Sequence, residues 1–324
     1  MPTQPVSQQP PQHHYHCEKK TARVFSLSIA KFLVTSLLRR GVGILAIAVL
    51  VSTLGMPPVG ARAATPDATE LKGKLKNVEL CNGVDRSSVE PQITGCTALI
   101  ESGKETSLVL AIAYNNRGNA YAAKGNYDLA ISDYDMAIKN HPDFSKPFNN
   151  RGVALLKKGE LDRAIKDFDE AIRLTPAYAR AFANRAETNQ KRHDFQNASR
   201  DYDDAIRLQP DLDEVWNGRC WTRAVLGQLQ PALADCNKAL LIQPNDAATF
   251  DSRGLIYLKL GQFDAAIQDY NSALRVAPKM ASALYGRGLA RIKKGDAAGG
   301  NADLEAAKRL ETKIAEDFTT YGVR

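Results

Sequence analysis

Residues 111–144 read AIAYNNRGNAYAAKGNYDLAISDYDMAIKNHPDF, and residues 145–178 repeat the pattern as SKPFNNRGVALLKKGELDRAIKDFDEAIRLTPAY. The spacing continues along the chain, because five prolines lie 34 residues apart: Pro142, Pro176, Pro210, Pro244 and Pro278. Aligning the sequence with itself at this interval yields six units, which start at Ala111, Ser145, Ala179, Asp213, Ala247 and Ala281. A fixed period of this length predicts a stacked repeat architecture.

Small and large residues recur at fixed positions within each unit. Counting the first residue as position 1, positions 8, 20 and 27 are small, whereas positions 4 and 24 are mostly aromatic. Small residues let two helices approach closely, and large residues fill the space beside the contact. The pattern therefore predicts two helices per unit, at about 111–124 and 127–140 in the first unit. We expect a glycine turn between them and a proline after the second helix.

These columns resemble the tetratricopeptide repeat family over about residues 111–312. The resemblance implies an all-α fold, a right-handed superhelical solenoid of helix-turn-helix units whose first helices line the concave face. A single unit cannot bury its apolar faces alone, so stacking has to bury them. The expected organisation is a tail and leader in residues 1–63, a linker and half unit in 64–110, six units in 111–312, and a capping-helix end with a tail in 313–324.

Both ends of the array depart from the repeat. Shifting the register back by one period places Cys96 at position 20 of a degenerate unit. Its second helix is expected at residues 93–100, with a short segment at 78–84 in place of a first helix. Unit 6 lacks the closing proline, so its second helix is expected to continue over about residues 297–318 as a polar cap.

Two charged columns also run through all six units. Position 7 is always Arg: Arg117, Arg151, Arg185, Arg219, Arg253 and Arg287. Position 23 is always Asp: Asp133, Asp167, Asp201, Asp235, Asp269 and Asp303. Because arginine forms two-pronged contacts with a carboxylate, the columns indicate a ladder of ion pairs, either within a unit or between neighbouring units. The alternative is an arginine row that binds an acidic ligand.

Four cysteines outside the leader form two predicted disulfide pairs. Cys220 and Cys236 occupy positions 8 and 24 of unit 4, and two buried free thiols are the alternative there. Cys81 and Cys96 are fifteen residues apart in the half unit, where a bridge would hold the short segment against the helix. Crossed pairings are excluded because a solenoid does not bring distant units into contact. Such bonds require an oxidising compartment.

The first 63 residues have the features of an export leader. Two arginines at 39 and 40 precede the apolar run GVGILAIAVLVSTLG at 41–55, which has the length of a signal-peptide core and is short for a membrane span. The sequence Ala-Arg-Ala at 61–63 predicts cleavage after Ala63. Ordinary secretion is favoured over a twin-arginine route, and a start at Val34 would give a leader of 30 residues. We therefore expect a periplasmic or secreted protein with no stable membrane anchor after cleavage.

The charge balance and the few histidines exclude several function classes. The net charge of +7 arises in residues 1–63, and residues 64–324 carry 36 basic and 35 acidic side chains. The repeats therefore lack the concentrated basic surface that nucleic-acid binding requires. Only His141 and His193 follow the leader, and no glycine-rich phosphate loop or clustered metal ligands are present. The sequence predicts no catalytic site, no metal site and no cofactor.

The predicted concave face carries the candidate binding residues. In the family that the columns resemble, positions 2, 5, 6, 9, 12 and 13 of the first helix point into the groove. The candidate groove residues are Asn115, Asn116, Asn119, Lys146, Asn149, Asn150, Arg180, Asn184, Lys191, Asn217 and Trp221. An amide is both donor and acceptor, so a row of asparagines can bind an extended peptide backbone. A carboxylate of that peptide would lie near Lys146, Arg180 or Lys191.

Part of this set is similar to a clamp that some members of the family use for a C-terminal carboxylate. Asn119, Asn150, Arg180 and Asn184 match it in part, although Asn115 stands where the clamp has its first lysine. The alternative is that the asparagines are polar residues on a solvated helix face.

Two functional hypotheses follow from these observations. The first is a protein-interaction adaptor of the bacterial cell envelope that binds an extended peptide or a partner protein in its groove. The second is a structural envelope protein that self-associates through its convex face or its ends. Neither hypothesis involves catalysis.

Overall fold

The computed structural model describes residues 68–83 and 88–323. The predicted leader, with its apolar run at 41–55 and cleavage after Ala63, lies outside these residues. The described ranges contain fifteen helices and no strand, so the prediction of an all-α repeat solenoid is confirmed. The helices are α1 (Ala68–Cys81), α2 (Glu90–Glu101), α3 (Ser107–Ala123), α4 (Tyr127–Asn140), α5 (Ser145–Lys157), α6 (Leu161–Leu174), α7 (Ala179–Lys191), α8 (Phe195–Leu208), α9 (Asp213–Val225), α10 (Leu229–Ile242), α11 (Ala247–Lys259), α12 (Phe263–Val276), α13 (Ala281–Lys293), α14 (Ala297–Leu310) and α15 (Ile314–Thr320).

Helices α3 to α14 form six hairpins that coincide with the six predicted units. Helices α5, α7, α9, α11 and α13 begin at the first residue of units 2 to 6, whereas α3 begins earlier, at Ser107. The Thr106 side chain accepts a hydrogen bond from the Val109 amide, so the longer first helix is capped. Each hairpin packs against the next along the chain.

The small residues at position 8 are required by the aromatic rings at position 24. A Cβ atom added to Gly118 would lie 2.7 Å from Cε1 of Tyr134, and one added to Gly152 would lie 2.6 Å from Cε1 of Phe168. Both rings are fully buried. The two columns are therefore the two sides of one contact, repeated from unit to unit.

Turn glycines and prolines set the hairpin boundaries as the sequence predicts. Gly125 has a φ of 77°, and His193 adopts the same left-handed conformation at 59° in unit 3. The residue before each repeat proline leaves the helical region; His141 has a φ of −148° and Gln209 one of −145°. Proline disfavours a helical conformation in the residue before it, so each second helix ends there.

The N-terminal end differs from the prediction of a half unit. A helix of 14 residues, α1, stands where the sequence predicts only a short segment at 78–84. It packs against α2, so a complete helical pair precedes unit 1 in the described part of the chain. The connection from Asn82 to Val89 is longer than the repeat turns. This insertion moves the first helix out of the 34-residue register, and the self-comparison therefore could not locate it.

The C-terminal end also differs from the prediction. The expected continuous helix over 297–318 is interrupted, because α14 ends at Leu310 and Glu311 has extended backbone angles of −144° and 107°. Helix α15 then buries Ile314 and Phe318, each 3% exposed. These side chains join the apolar cluster of units 5 and 6, so the end of the chain packs against the solenoid.

The apolar core runs from hairpin to hairpin. One cluster combines Phe182 of α7, Tyr202 of α8 and Val215 of α9, so side chains of unit 4 complete the core of unit 3. This is how stacking buries faces that a single hairpin leaves exposed. Within the described ranges, no helix combines the length and the apolar character needed to cross a bilayer.

Candidate functional site

The first helices of successive units lie side by side and form one surface, and the predicted groove residues all belong to these helices. Helix α9 contacts α11, α11 contacts α13, and α3, α5 and α7 follow the same order. We call this surface the concave face. Its two halves differ, since units 1 to 3 present polar and basic side chains, whereas α15 covers part of units 4 to 6.

Arg and Asp have the same spacing in every unit, and they form a two-pronged ion pair inside each of the six. In unit 2, Nε and Nη2 of Arg151 donate to the two carboxylate oxygens of Asp167 at 2.8 and 2.7 Å. The same pair of bonds occurs in the other five units. The hydrogen bond with Asp167 raises the pKa of Arg151, while burial opposes the shift. The aspartates are buried, so these arginines have the charge partners that their position demands.

The third arginine nitrogen connects neighbouring units. Nη1 of Arg219 donates to Asp203 of the preceding unit at 2.7 Å, and Nη1 of Arg253 donates to Asn237 at 2.7 Å. The ladder therefore acts both within and between units. Sequence reasoning missed the acceptor column at position 25. Its members are Asp135, Asp169, Asp203, Asn237 and Asn271.

The predicted asparagine row forms a hydrogen-bonded network across units 1 to 3. Nδ2 of Asn150 donates to Oδ1 of Asn115 at 2.9 Å and to Oδ1 of Asn119 at 3.0 Å. Nδ2 of Asn184 donates to Oδ1 of Asn149 at 2.8 Å. The asparagines thus bond largely to one another and tie three first helices together. They form a polar floor, with Asn119 exposed on it.

The network also extends beyond these three contacts. Asn116 accepts a hydrogen bond from Asn115 at 3.3 Å and donates one to Asn82, the residue that follows α1, at 3.4 Å. The Tyr134 hydroxyl donates to Asn119 at 2.8 Å. The polar floor is therefore continuous from the end of α1 to unit 3.

The exposed basic residues lie on opposite rims of this floor. Lys146 and Arg180 occupy the second position of α5 and α7, so they share one rim. Lys191 ends α7, eleven residues after Arg180, which corresponds to about 16 Å along a helix. A single carboxylate cannot contact both rims. Lys146 and Arg180 therefore form one contact point for an extended ligand, and Lys191 forms a second.

The second half of the concave face holds Trp221 and Asn217. Trp221 packs edge-to-face on Phe195 and Tyr321, with ring centroids 5.6 and 5.1 Å apart. Nζ of Lys259 donates to the carbonyl oxygens of Ala224 and Tyr321, both at 2.7 Å. The predicted aromatic groove residue thus contacts the C-terminal segment of the same chain.

Two buried acceptors lie in this covered half. No donor among the described residues reaches Oδ1 of Asn217 or Oδ1 of Asp251. Burial raises the pKa of Asp251 to about 7, while the Ser282 hydroxyl opposes the shift. Asp251 occupies position 5 of unit 5, and sequence reasoning did not identify it as a site residue. Its signal was a carboxylate where units 1, 2 and 4 have asparagine.

The cysteine pairs join helices within two hairpins. Cys81 and Cys96 link α1 to α2, with Cα atoms 4.5 Å apart. Cys220 and Cys236 link α9 to α10, with Cα atoms 5.3 Å apart. The second pair stands where units 1, 2 and 5 have a glycine–aromatic contact, and it replaces that contact by a covalent one. In the described part of the chain, no group of three or more His, Cys, Asp or Glu side chains is placed to hold a metal ion.

Comparisons with known proteins agree with this geometry. One tetratricopeptide repeat model matches residues 111–144 and 145–178, and a second matches residues 224–284. No curated protein matches the chain in sequence.

Several solved structures share its fold. A tetratricopeptide repeat protein from Parabacteroides merdae is 16% identical, with a TM-score of 0.58 over 78% of this chain and 99% of that one. Cut9–Hcn1, a hetero-tetramer of the APC/C, is 18% identical, with a TM-score of 0.58 over 78% of this chain and 52% of that one. PilW, a type IV pilus biogenesis factor, is 18% identical, with a TM-score of 0.56 over 65% of this chain and 97% of that one. Identities of this size show a likeness of fold.

Proposed function

Because the chain is a tetratricopeptide repeat protein, we propose that it is a non-catalytic adaptor that binds another protein through its concave face. The fold serves in assemblies elsewhere, since PilW is a pilus biogenesis factor and Cut9–Hcn1 is a hetero-tetramer. The proposal for this chain, however, depends on its own surface.

The observation that carries the proposal is the contrast between the two halves of the concave face. In units 1 to 3 the asparagine network forms a polar floor, and Lys146, Arg180 and Lys191 are exposed beside it. An extended acidic segment would hydrogen-bond along the floor and place carboxylates at both rims. Peptide binding at Asn116, Asn119, Asn150, Asn184 and the three basic residues, with the buried Asn115 and Asn149 holding the floor in place, is thus the function that this surface fits best.

We place this activity in the bacterial cell envelope. Two cysteine pairs at bonding distance support an oxidising compartment, since disulfides persist there and are rare in the cytosol. The export leader predicted from the sequence agrees with this location. The protein would then act in the periplasm or outside the cell.

Charge reversal on one rim tests the groove. Lys146→Glu combined with Arg180→Glu should reduce the yield of partner crosslinked in native envelopes by about tenfold, because two attractive contacts become repulsive. Lys139→Glu combined with Lys166→Glu is the matched control. Both of these lysines are exposed on second helices, and the change in net charge is the same.

The outcomes separate the adaptor from the structural alternative. The control pair should capture the partner as well as the wild type does. Equal capture by both pairs would place the partner elsewhere on the molecule. If no partner is captured and the mass of the purified protein rises with concentration, self-association through the convex face or the ends replaces the adaptor proposal.

A further inference from the structure

The C-terminal segment of the chain occupies the concave face of units 4 to 6. Phe318 packs against Tyr285 of α13, with ring centroids 4.8 Å apart, and Tyr321 packs against Trp221 of α9. Ile314 and Phe318 also join the cluster that contains Leu255 of α11. Three first helices therefore contact the C-terminal segment, which lies on the concave face.

The fit depends on one face of α15 and on a lysine. Ile314, Phe318 and Tyr321 are spaced i, i+4 and i+7, so they lie on the same side of the helix. Lys259 donates to the carbonyl oxygen of Tyr321 at the end of α15 and to Ala224 of α9. A cation at the C-terminus of a helix satisfies its last carbonyls. The concave face thus has the anchors and the end clamp of a helix-binding groove.

The match between α15 and this groove is incomplete. A cavity of about 240 Å³ lies between them, lined by Trp221, Asp251 and Leu255 from the groove and by Asp317 and Glu311 from the C-terminal segment. Oδ1 of Asp251 and of Asn217 are buried without a donor among the described residues. The groove therefore presents acceptors, and the C-terminal segment facing it adds two carboxylates, Asp317 on α15 and Glu311 before it.

We propose that this face is the docking surface for a helix of a partner protein, and that α15 covers it until the partner takes its place. The partner helix carries an aliphatic and two aromatic side chains at i, i+4 and i+7, as α15 does. It differs by a Lys or Arg at the position equivalent to Asp317, which donates to Asp251. The inference rests on the proposed function, because it takes a partner protein on the concave face.

The connection of α15 to the solenoid permits such an exchange. Only residues 311–313 join it to α14, and α14 has its own packing against α13. Release of α15 would leave the last hairpin of the array in place. Because α15 is tethered, it competes at a high local concentration, so a free helix binds measurably only when it fits better or when α15 is weakened.

A labelled peptide tests the exchange on the full-length, oxidised protein. The probe is a fluorescein-labelled peptide of residues 309–323 in which Asp317→Lys supplies the basic side chain. It should bind the Phe318→Ala/Tyr321→Ala protein at least about tenfold more tightly than the wild type, because the tethered competitor is weakened. The matched control protein is Thr319→Ala/Thr320→Ala, which changes two exposed residues of the same helix and should bind like the wild type.

The basic side chain has a separate readout. At pH 8 the Asp317→Lys peptide should bind the Phe318→Ala/Tyr321→Ala protein about fivefold more tightly than the peptide of native sequence does. Asp251→Asn in that protein should abolish the difference. A probe lacking Phe318 and Tyr321 should not bind. If the double variant fails to fold, as judged by hydrogen exchange in α13 and α14, Tyr321→Ala alone replaces it, because it removes one anchor of the C-terminal segment and leaves the groove unchanged.

Several results would overturn the inference. Equal probe binding to the wild type and to the variants with weakened C-terminal anchors would show that α15 does not cover the site. Dimers of the wild type that exchange their C-terminal segments would assign the face to a second copy of the chain. These measurements use purified components at units 4 to 6, whereas the groove proposal is tested by Lys146 and Arg180 in units 1 to 3, so one can fail without the other.

Discussion

At the scale of single residues, arginine at position 7 connects three elements of the solenoid. Its guanidinium group contacts an aspartate of the same hairpin, an acceptor of the preceding hairpin and the aromatic ring at position 4. In unit 4, the Arg219 guanidinium lies 5.1 Å from the centroid of the Trp216 ring. Lysine could not reproduce this arrangement, because it lacks the planar fork.

The two acceptors of one arginine should differ in their contribution to stability. Asp167 and Asp135 both bind Arg151, but their side chains are 9% and 55% exposed. We expect Asp167→Asn to lower the free energy of unfolding by about 2–3 kcal/mol, because it leaves the arginine without its buried charge partner. Asp135→Asn should cost less than about 1 kcal/mol, since its pair is exposed. Urea denaturation followed by circular dichroism measures both, and equal effects would show that burial does not decide the strength of the pair.

At the scale of elements, the two cysteine pairs have different roles. The pair Cys81–Cys96 closes the first hairpin, at the end of the array, whereas Cys220–Cys236 lies in its middle. Among the described helices, α1 has a neighbouring hairpin on one side only, so a covalent link matters most there.

Removing the terminal bridge should therefore loosen α1 more than any other helix. Cys81→Ser/Cys96→Ser is expected to cost about 3 kcal/mol locally and to raise hydrogen exchange in α1 and α2. Cys220→Ser/Cys236→Ser is the matched control, with its effect confined to α9 and α10. Non-reducing peptide mapping of the native protein should find Cys81–Cys96 and Cys220–Cys236. A crossed linkage would contradict the repeat register.

Asp251, in the covered half of the groove, should make the free energy of unfolding depend on pH. The pKa of Asp251 is about 7 in the folded protein, above the ordinary value of 3.8 that applies when the chain unfolds. The folded state thus holds a proton that the unfolded state releases between these values, so this group's contribution falls as pH rises from about 4 to about 7.

Asp251→Asn removes that titration. From pH 5 to pH 8, the free energy of unfolding of the wild type should fall by about 2–3 kcal/mol relative to that of the variant, because only the wild type has this titrating group. Urea denaturation at several pH values measures the difference between the two proteins. Parallel curves for both would mean that Asp251 does not titrate in this range.

At the scale of the whole molecule, a local defect should lower stability mainly in the hairpins next to it. Apart from the C-terminal segment with α15, the described helices contact partners in their own and adjacent hairpins, so a defect should weaken the region around it. Phe168→Ala removes a fully buried ring from α6 and should cost about 3–5 kcal/mol. Hydrogen exchange should rise in α5 to α8 and stay unchanged in α13 and α14. A uniform rise along the chain would show a single cooperative unit instead.

The sequence by itself determined the parts of this protein that depend on short or periodic separations. Arg151 and Asp167 are sixteen residues apart, as are Cys220 and Cys236, and every hairpin brings such residues together. The unit boundaries follow from prolines and turn glycines in the same way. The helices that carry the candidate groove residues could also be located, because their positions repeat with the period.

Only the tertiary structure decided the contacts that break the period or span several units. The longer connection after α1 displaced the first helix, and the asparagines proved to bond to one another across units. Trp221 and Tyr321 are a hundred residues apart, and they meet because stacking aligns α9, α11 and α13 into one surface. The sequence shows the apolar side chains of α15, but the place where they are buried exists only once the solenoid has formed.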